Sequence, residues 1–120
     1  MLYMDRRYTD KEFLRMDAIS QYKLILHNKF YNNFPRGFWL KPNGKKKAIK
    51  MMKYLFEEEL NWSPDSIIKR LRLVIMKRYK LDTPLRLFFN NDLFAMLNEA
   101  YPNKYAKWMF FENKHMININ

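Results

Sequence analysis

Positive charge is the chemistry this sequence offers. Thirteen of its 23 Lys and Arg lie between Arg36 and Lys80: Arg36, Lys41, Lys45, Lys46, Lys47, Lys50, Lys53, Lys69, Arg70, Arg72, Lys77, Arg78 and Lys80. Only Glu57, Glu58, Glu59 and Asp65 oppose them, so this stretch carries +9 of the formal net charge of +11. Charge concentrated in this way favours a polyanionic partner, and nucleic acid is the commonest one. Lys45, Lys46, Lys47, Lys50 and Lys53 are the candidates for holding phosphates. Arg70, Arg72, Lys77 and Arg78, with Arg36 and Lys69, would extend the strip or reach base edges. Lysine contributes affinity with little sequence information, whereas the arginine fork is suited to base readout.

Other chemistries lack their residues. There is no Cys, which excludes disulfides and thiolate metal sites. His27 and His115 are far apart, without the spacing of a zinc site. Gly37 and Gly44 stand alone, so no glycine-rich phosphate loop exists. Glu57, Glu58 and Glu59 are consecutive and would diverge around a helix rather than pair. Glu112-x-Lys114 is too short to count as a nuclease motif. The expectation is a binding protein, not an enzyme, with no metal and no cofactor. The opening MLYMDRRYTD has no apolar stretch behind its charges, and no apolar run reaches the ~18 residues of a membrane span. A cytoplasmic location and no membrane partner are the expectation.

The elements that must position these cations read as helices. The 120 residues fit one domain, and 48% hydrophobic with 18% aromatic content suffices for a packed core. With two Gly and five Pro, tight turns are few, which favours an all-α fold of about five helices. Thr9-x-x-Glu12 has capping-box spacing ahead of a long N-terminal helix expected over 10–33. Its core stripe would be Phe13, Met16, Ile19, Tyr22, Leu26 and Phe30. A loop over 34–44 holds Phe34, Phe38 and Trp39. These rings are expected to plug the core rather than to offer a stacking face beside the cations.

A second helix is expected over 45–60, with Ala48, Ile49, Met52, Leu55, Phe56 and Leu60 inward. Its lysines crowd the positive end of the helix dipole and its glutamates the negative end, each placement costing a few tenths of a kcal/mol. Two readings stand: a phosphate docked on the first amides among the lysines, or a solvated basic turn. Ser63-Pro64-Asp65 then has the order of an N-cap, first helical residue and acidic first turn. The third helix, expected over 64–80, buries Ile67, Ile68, Leu71, Val74, Ile75 and Tyr79. Helices two and three have a helix-turn-helix-like outline without its usual glycine. Thr83-Pro84 predicts a short helix over 84–89, and Asp92 another to about Ala100. Met51, Met52, Met76, Met96 and Met109 read as core filler.

From Pro35 to Trp108 the chain resembles one unit of a basic helical repeat of about sixty residues. Such units occur in uncharacterised proteins of low-GC Gram-positive bacteria and their phages. The matching pieces are Pro35-Arg36-Gly37-Phe38-Trp39, Asn43-Gly44, Ala48, Leu55, Glu57-Glu58, Leu60-x-Trp62-Ser63, Ile67, Ile68, Leu71, Phe89-Asn90, Ala100-Tyr101-Pro102-x-Lys104 and Trp108. Lys80-Leu81-Asp82-Thr83-Pro84 replaces a Gly-Leu-Gly-Gly run of the unit, Asn103 a glycine, and Lys107-Trp108 a Pro-Trp. The resemblance implies a single domain divided into an N-terminal helix (1–34), a repeat-like unit (35–112) and a tail (113–120). It implies a phage or mobile-element origin and, by analogy with tandem basic arrays, nucleic-acid binding.

The expected function is a small regulatory nucleic-acid-binding protein, with DNA favoured over RNA, acting as a monomer or homodimer. The alternative is a phage-type inhibitor or regulator that binds a host protein. An exposed apolar patch would mark the second, and a continuous basic face the first.

Overall fold

The computed structural model describes residues 6–110. Among these the fold is all-α, with no strand. Seven α-helices follow one another: α1 (Asp10–Arg15), α2 (Ala18–His27), α3 (Gly44–Tyr54), α4 (Pro64–Arg70), α5 (Leu73–Arg78), α6 (Asp82–Phe89) and α7 (Leu93–Ala100). Short 3-10 turns cover Phe38–Leu40 and Lys107–Phe110, and a π-helical turn, Leu55–Glu59, continues α3. The tail expected over 113–120, Phe111 and the Glu112-x-Lys114 fragment lie outside the described residues, as does His115.

The first expected helix is two helices. Thr9 and Glu12 form the capping box: the Glu12 N–H donates to Thr9 Oγ1 at 3.1 Å and the Thr9 N–H to Glu12 Oε1 at 2.8 Å. The chain leaves helical geometry at Met16 (φ −74°, ψ 157°), and Asp17 caps a new start. Its carboxylate accepts from Ser20 Oγ at 2.6 Å, which holds it below the usual carboxylate range. α2 ends at His27 rather than near residue 33. Buried Asn28 turns the chain, its side chain donating to the Arg6 carbonyl and accepting from the Phe30 N–H. Phe30, expected in the core, is 41% exposed as a result.

The loop after α2 is held by rings. Phe34, Phe38 and Trp39 lie within 4.9 Å of one another, centroid to centroid. Phe13 and Tyr22 extend the cluster. Phe38 and Trp39 are buried, so they serve the core and present no free stacking face. Gly37, at φ +74°, turns the chain into the 3-10 segment, a conformation glycine adopts without steric penalty.

α3 is the central element. It packs on α2, α6, α7 and the Phe38–Leu40 turn, and it buries Ala48, Met51 and Met52 completely. Its start approaches the loop so closely that a Cβ on Gly44 would overlap the Trp39 carbonyl oxygen. The adverse charges at its ends have tertiary partners. Lys45 Nζ lies over Phe89 and Lys47 Nζ over Phe38, at 5.1 and 5.0 Å from the ring centroids. At the other end Glu57 accepts from the Tyr101 hydroxyl at 2.6 Å, and Glu59 pairs with His27 at 2.9 Å. Tertiary contacts thus offset part of the local dipole cost.

The expected helix over 64–80 is also two. Ser63 caps α4 through the Ser66 N–H at 3.1 Å, with Pro64 in the first turn as read from the sequence. The helix stops at Leu71, and Arg72 is fully extended (φ −152°, ψ 163°) before α5 starts. The break changes the inward face. Leu71 and Met76 are buried, whereas Val74, expected in the core, is 51% exposed. Lys80 ends α5 in the left-handed region (φ 64°). α6 begins at Asp82, earlier than Thr83-Pro84 suggested. Thr83 does not cap it, and Pro84 fits the first turn, where no intrahelical N–H partner is required. Asp92 caps α7 as expected, accepting from the Ala95 N–H at 3.0 Å.

Two outcomes test this packing. Gly44→Ala should destabilise the protein by about 2 kcal/mol or more, read by chemical denaturation, because α3 must move off the Trp39 carbonyl. A second test uses the buried Tyr22 phenol, which donates to the Tyr79 carbonyl at 2.7 Å and is pushed well above its ordinary pKa by burial. The unfolded phenol ionises near pH ~10 while the folded one stays protonated, so this contribution is full below pH ~10 and is lost as pH rises. The stability gap between wild type and Tyr22→Phe should therefore shrink above pH ~10; a constant gap would contradict the assignment.

Candidate nucleic-acid interface

Helical spacing sets out the lysines of α3. Lys46, Lys50 and Lys53 are separated by four and three residues and share one face, with Lys45 beside them. The opposite face is the buried Ala48–Met51–Met52 stripe. The cations are thus forced outward along one side of a helix whose other side is locked in the core.

That side forms one wall of a groove against α7. The groove has a volume of about 640 Å³ and is lined by Lys45, Lys46, Ile49, Lys50, Lys53, Glu99 and Ala100. Ile49 is half-buried and Ala100 buried, which gives an apolar floor under the charged rim. None of the four lysines makes an ion pair with a described carboxylate. Glu99 is the single acidic residue in the lining.

The structure separates the other expected cations from this groove. Arg36 lines a different cleft of about 320 Å³, together with Phe34, Leu40, Arg86 and Leu87. Lys47 is half-buried beside Phe38. Lys69 pairs with Asp65 at 3.0 Å across one turn of α4. Arg70, Arg72, Lys77 and Arg78 are exposed on α4, α5 and the break between them, and they line neither concavity. The helix pair therefore does not present one continuous recognition helix. Arg72 stands on extended backbone between two helices of seven and six residues.

Aromatic residues at the rim were not among the expected site residues. The Tyr101 ring is half-buried, with Lys53 Nζ at 5.5 Å and Lys104 Nζ at 5.4 Å from its centroid. Its hydroxyl is fixed on Glu57. Burial, followed by that hydrogen bond, pushes the phenol far above its ordinary pKa, so the ring stays neutral. Phe89 stands at the Lys45 end. The signal in the sequence was Tyr101-x-x-Lys104, a ring and a cation three residues apart, but only the fold brings Lys53 to the same ring.

Neither mark that would separate the two expected functions stands alone: the basic surface is divided rather than continuous, and apolar side chains are also exposed. The lysine groove is basic, and Leu40 (77% exposed) and Leu87 (41% exposed) leave apolar surface at the Arg36 cleft. Among the described residues no three His, Cys, Asp or Glu group as a metal site, and no helix is long and apolar enough to cross a membrane.

No curated protein and no solved structure matches the chain. A family model does match it, over residues 18–105, from the first residue of α2 to the buried Tyr105 beyond α7. By that match the chain belongs to the family described as protein of unknown function (DUF4046).

Proposed function

We propose that this protein binds nucleic acid through the α3/α7 groove, with Lys45, Lys46, Lys50 and Lys53 as the phosphate contacts. One observation carries the reading: four lysines line one concavity, and among the described residues none of them is ion-paired with a carboxylate. Like charges held together on a folded surface repel, and a polyanion relieves that repulsion. Arg70, Arg72, Lys77 and Arg78 add to the long-range field that steers a polyanion, as do Arg36, Lys47 and Lys69. The proposal includes a regulatory role, DNA in preference to RNA, a phage or mobile-element origin and a cytoplasmic site of action. The likeness of residues 35–108 to a basic repeat unit supports the same reading by analogy.

A second reading has its own observation. The exposed Leu40 and Leu87 beside Arg36 and Arg86 favour a protein ligand at the smaller cleft, as in an inhibitor or regulator of a host protein.

The test is fluorescence anisotropy with labelled DNA and RNA across a salt series. With four phosphates engaged, affinity should fall roughly a hundredfold between about 50 and 200 mM salt. Lys45→Glu/Lys46→Glu, at two exposed positions, should abolish binding without changing the melting temperature by more than a few degrees. Retained binding in that variant would move the site elsewhere. Absence of binding to every probe at low salt would leave the protein-ligand reading.

A further inference from the structure

We infer that the α3/α7 groove takes a single strand rather than a duplex, with Tyr101 and Phe89, the rings beside Lys53 and Lys45, as the faces on which bases stack just beyond its lining. The inference rests on the nucleic-acid reading above and names the ligand class of that same site.

The first argument is steric. A helix reads duplex DNA by entering a major groove about 12 Å wide, which requires a helix that stands free along its exposed side. α3 does not stand free along that side: α7 borders it, with Glu99 and Ala100 in the lining opposite the lysines. Its lysines line a concavity instead of a ridge. The α4–α5 segment offers no alternative, since it is broken at Leu71–Arg72 into pieces shorter than the recognition helix the sequence suggested.

The second argument is the chemistry of the lining. A duplex backbone needs charge alone. This groove combines charge with an apolar floor at Ile49 and Ala100, and the first and last lysines of its row each reach a half-buried ring outside the lining, Phe89 by Lys45 and Tyr101 by Lys53. Cations that track a backbone, together with rings that receive bases, are what single-strand grooves use. The spacing agrees. Lys45 and Lys53 are eight residues apart on α3, about 12 Å along the axis at ~1.5 Å per residue, or three to four stacked nucleotides at ~3.4 Å each. The ring of Tyr101 is already oriented, because its hydroxyl is held by Glu57 at 2.6 Å. A platform fixed before binding loses little conformational freedom when a base arrives. Its phenol stays protonated, so it adds no negative charge beside a phosphate.

The experiment compares labelled oligo(dT), oligo(rU) and a mixed-sequence duplex, each of about twenty nucleotides or base pairs, at one low salt concentration. Both single strands should bind at least tenfold more tightly than the duplex, and the ratio of the two gives any sugar preference. Tyr101→Leu should weaken single-strand binding by roughly tenfold, while Tyr101→Phe, which keeps the ring, should stay within about twofold of wild type. Glu99→Lys, on the exposed rim, should tighten single-strand binding several-fold; it does not depend on Tyr101→Leu remaining folded, which circular dichroism checks. A duplex bound as tightly as the single strands overturns the inference and leaves the lysine groove as a nucleic-acid site. So does a folded Tyr101→Leu protein that binds like wild type. No binding of any probe at low salt overturns the nucleic-acid reading itself.

Discussion

The close approach of α3 to the Phe38–Leu40 turn is the constraint on which the rest of this fold depends. Gly44 permits it, since any side chain there would enter the Trp39 carbonyl. With the turn against its first residues, α3 can bury one stripe completely and touch α2, α6 and α7 along its length. Burial on so many sides confines most of its polar side chains to the face opposite the stripe. Lys45, Lys46, Lys50 and Lys53 line one groove because the core has taken the opposite face of α3, while Lys47 lies apart over Phe38.

The same constraint explains why charges opposed to the helix dipole persist. Taken alone, three lysines at the start and three glutamates at the end weaken α3. In the folded chain Lys45 and Lys47 lie over rings that other elements supply, and Glu57 and Glu59 receive Tyr101 and His27. Glu57 links stability to the candidate site: this carboxylate of the π-helical turn also holds the hydroxyl of the ring beside Lys53.

Much of this architecture was legible in the sequence, and the failures have physical causes. Capping chemistry is local, so Thr9–Glu12, Ser63–Pro64 and Asp92 mark real helix starts. Ring burial is generic, so Phe38 and Trp39 went to the core. Periodicity misled where the chain breaks without Pro or Gly. Ile67, Leu71, Val74 and Ile75 keep helical spacing straight through Leu71–Arg72, yet the break rotates α5 so that Met76 points inward and Val74 outward. At Met16 the signal existed, an Asp17 cap three residues before Ser20, but a continuous apolar stripe concealed it. The lysines of the groove were readable as a row on α3. Their division from Arg36 and from the α4–α5 cations was not, because it depends on which tertiary neighbour each helix meets.

The scarcity of glycine shaped the turns. Five of the six non-glycine residues with positive φ are asparagines: Asn43, Asn61, Asn90, Asn91 and Asn103. Lys80 is the sixth. Asparagine tolerates this geometry better than most side chains, and it brings a covalent liability, being among the thermolabile residues. The liability is greatest at Asn43-Gly44, where the unbranched Gly44 nitrogen can attack the Asn43 side-chain carbonyl and expel ammonia, and water then opens the resulting succinimide to aspartate or isoaspartate. In the folded chain the Gly44 N–H is committed to the Lys41 carbonyl at 3.2 Å, and that nitrogen is held in the packed start of α3. The turn on which the fold depends therefore also restrains the nitrogen that this reaction uses, and deamidation at Asn43 should run faster whenever α3 lifts from Trp39.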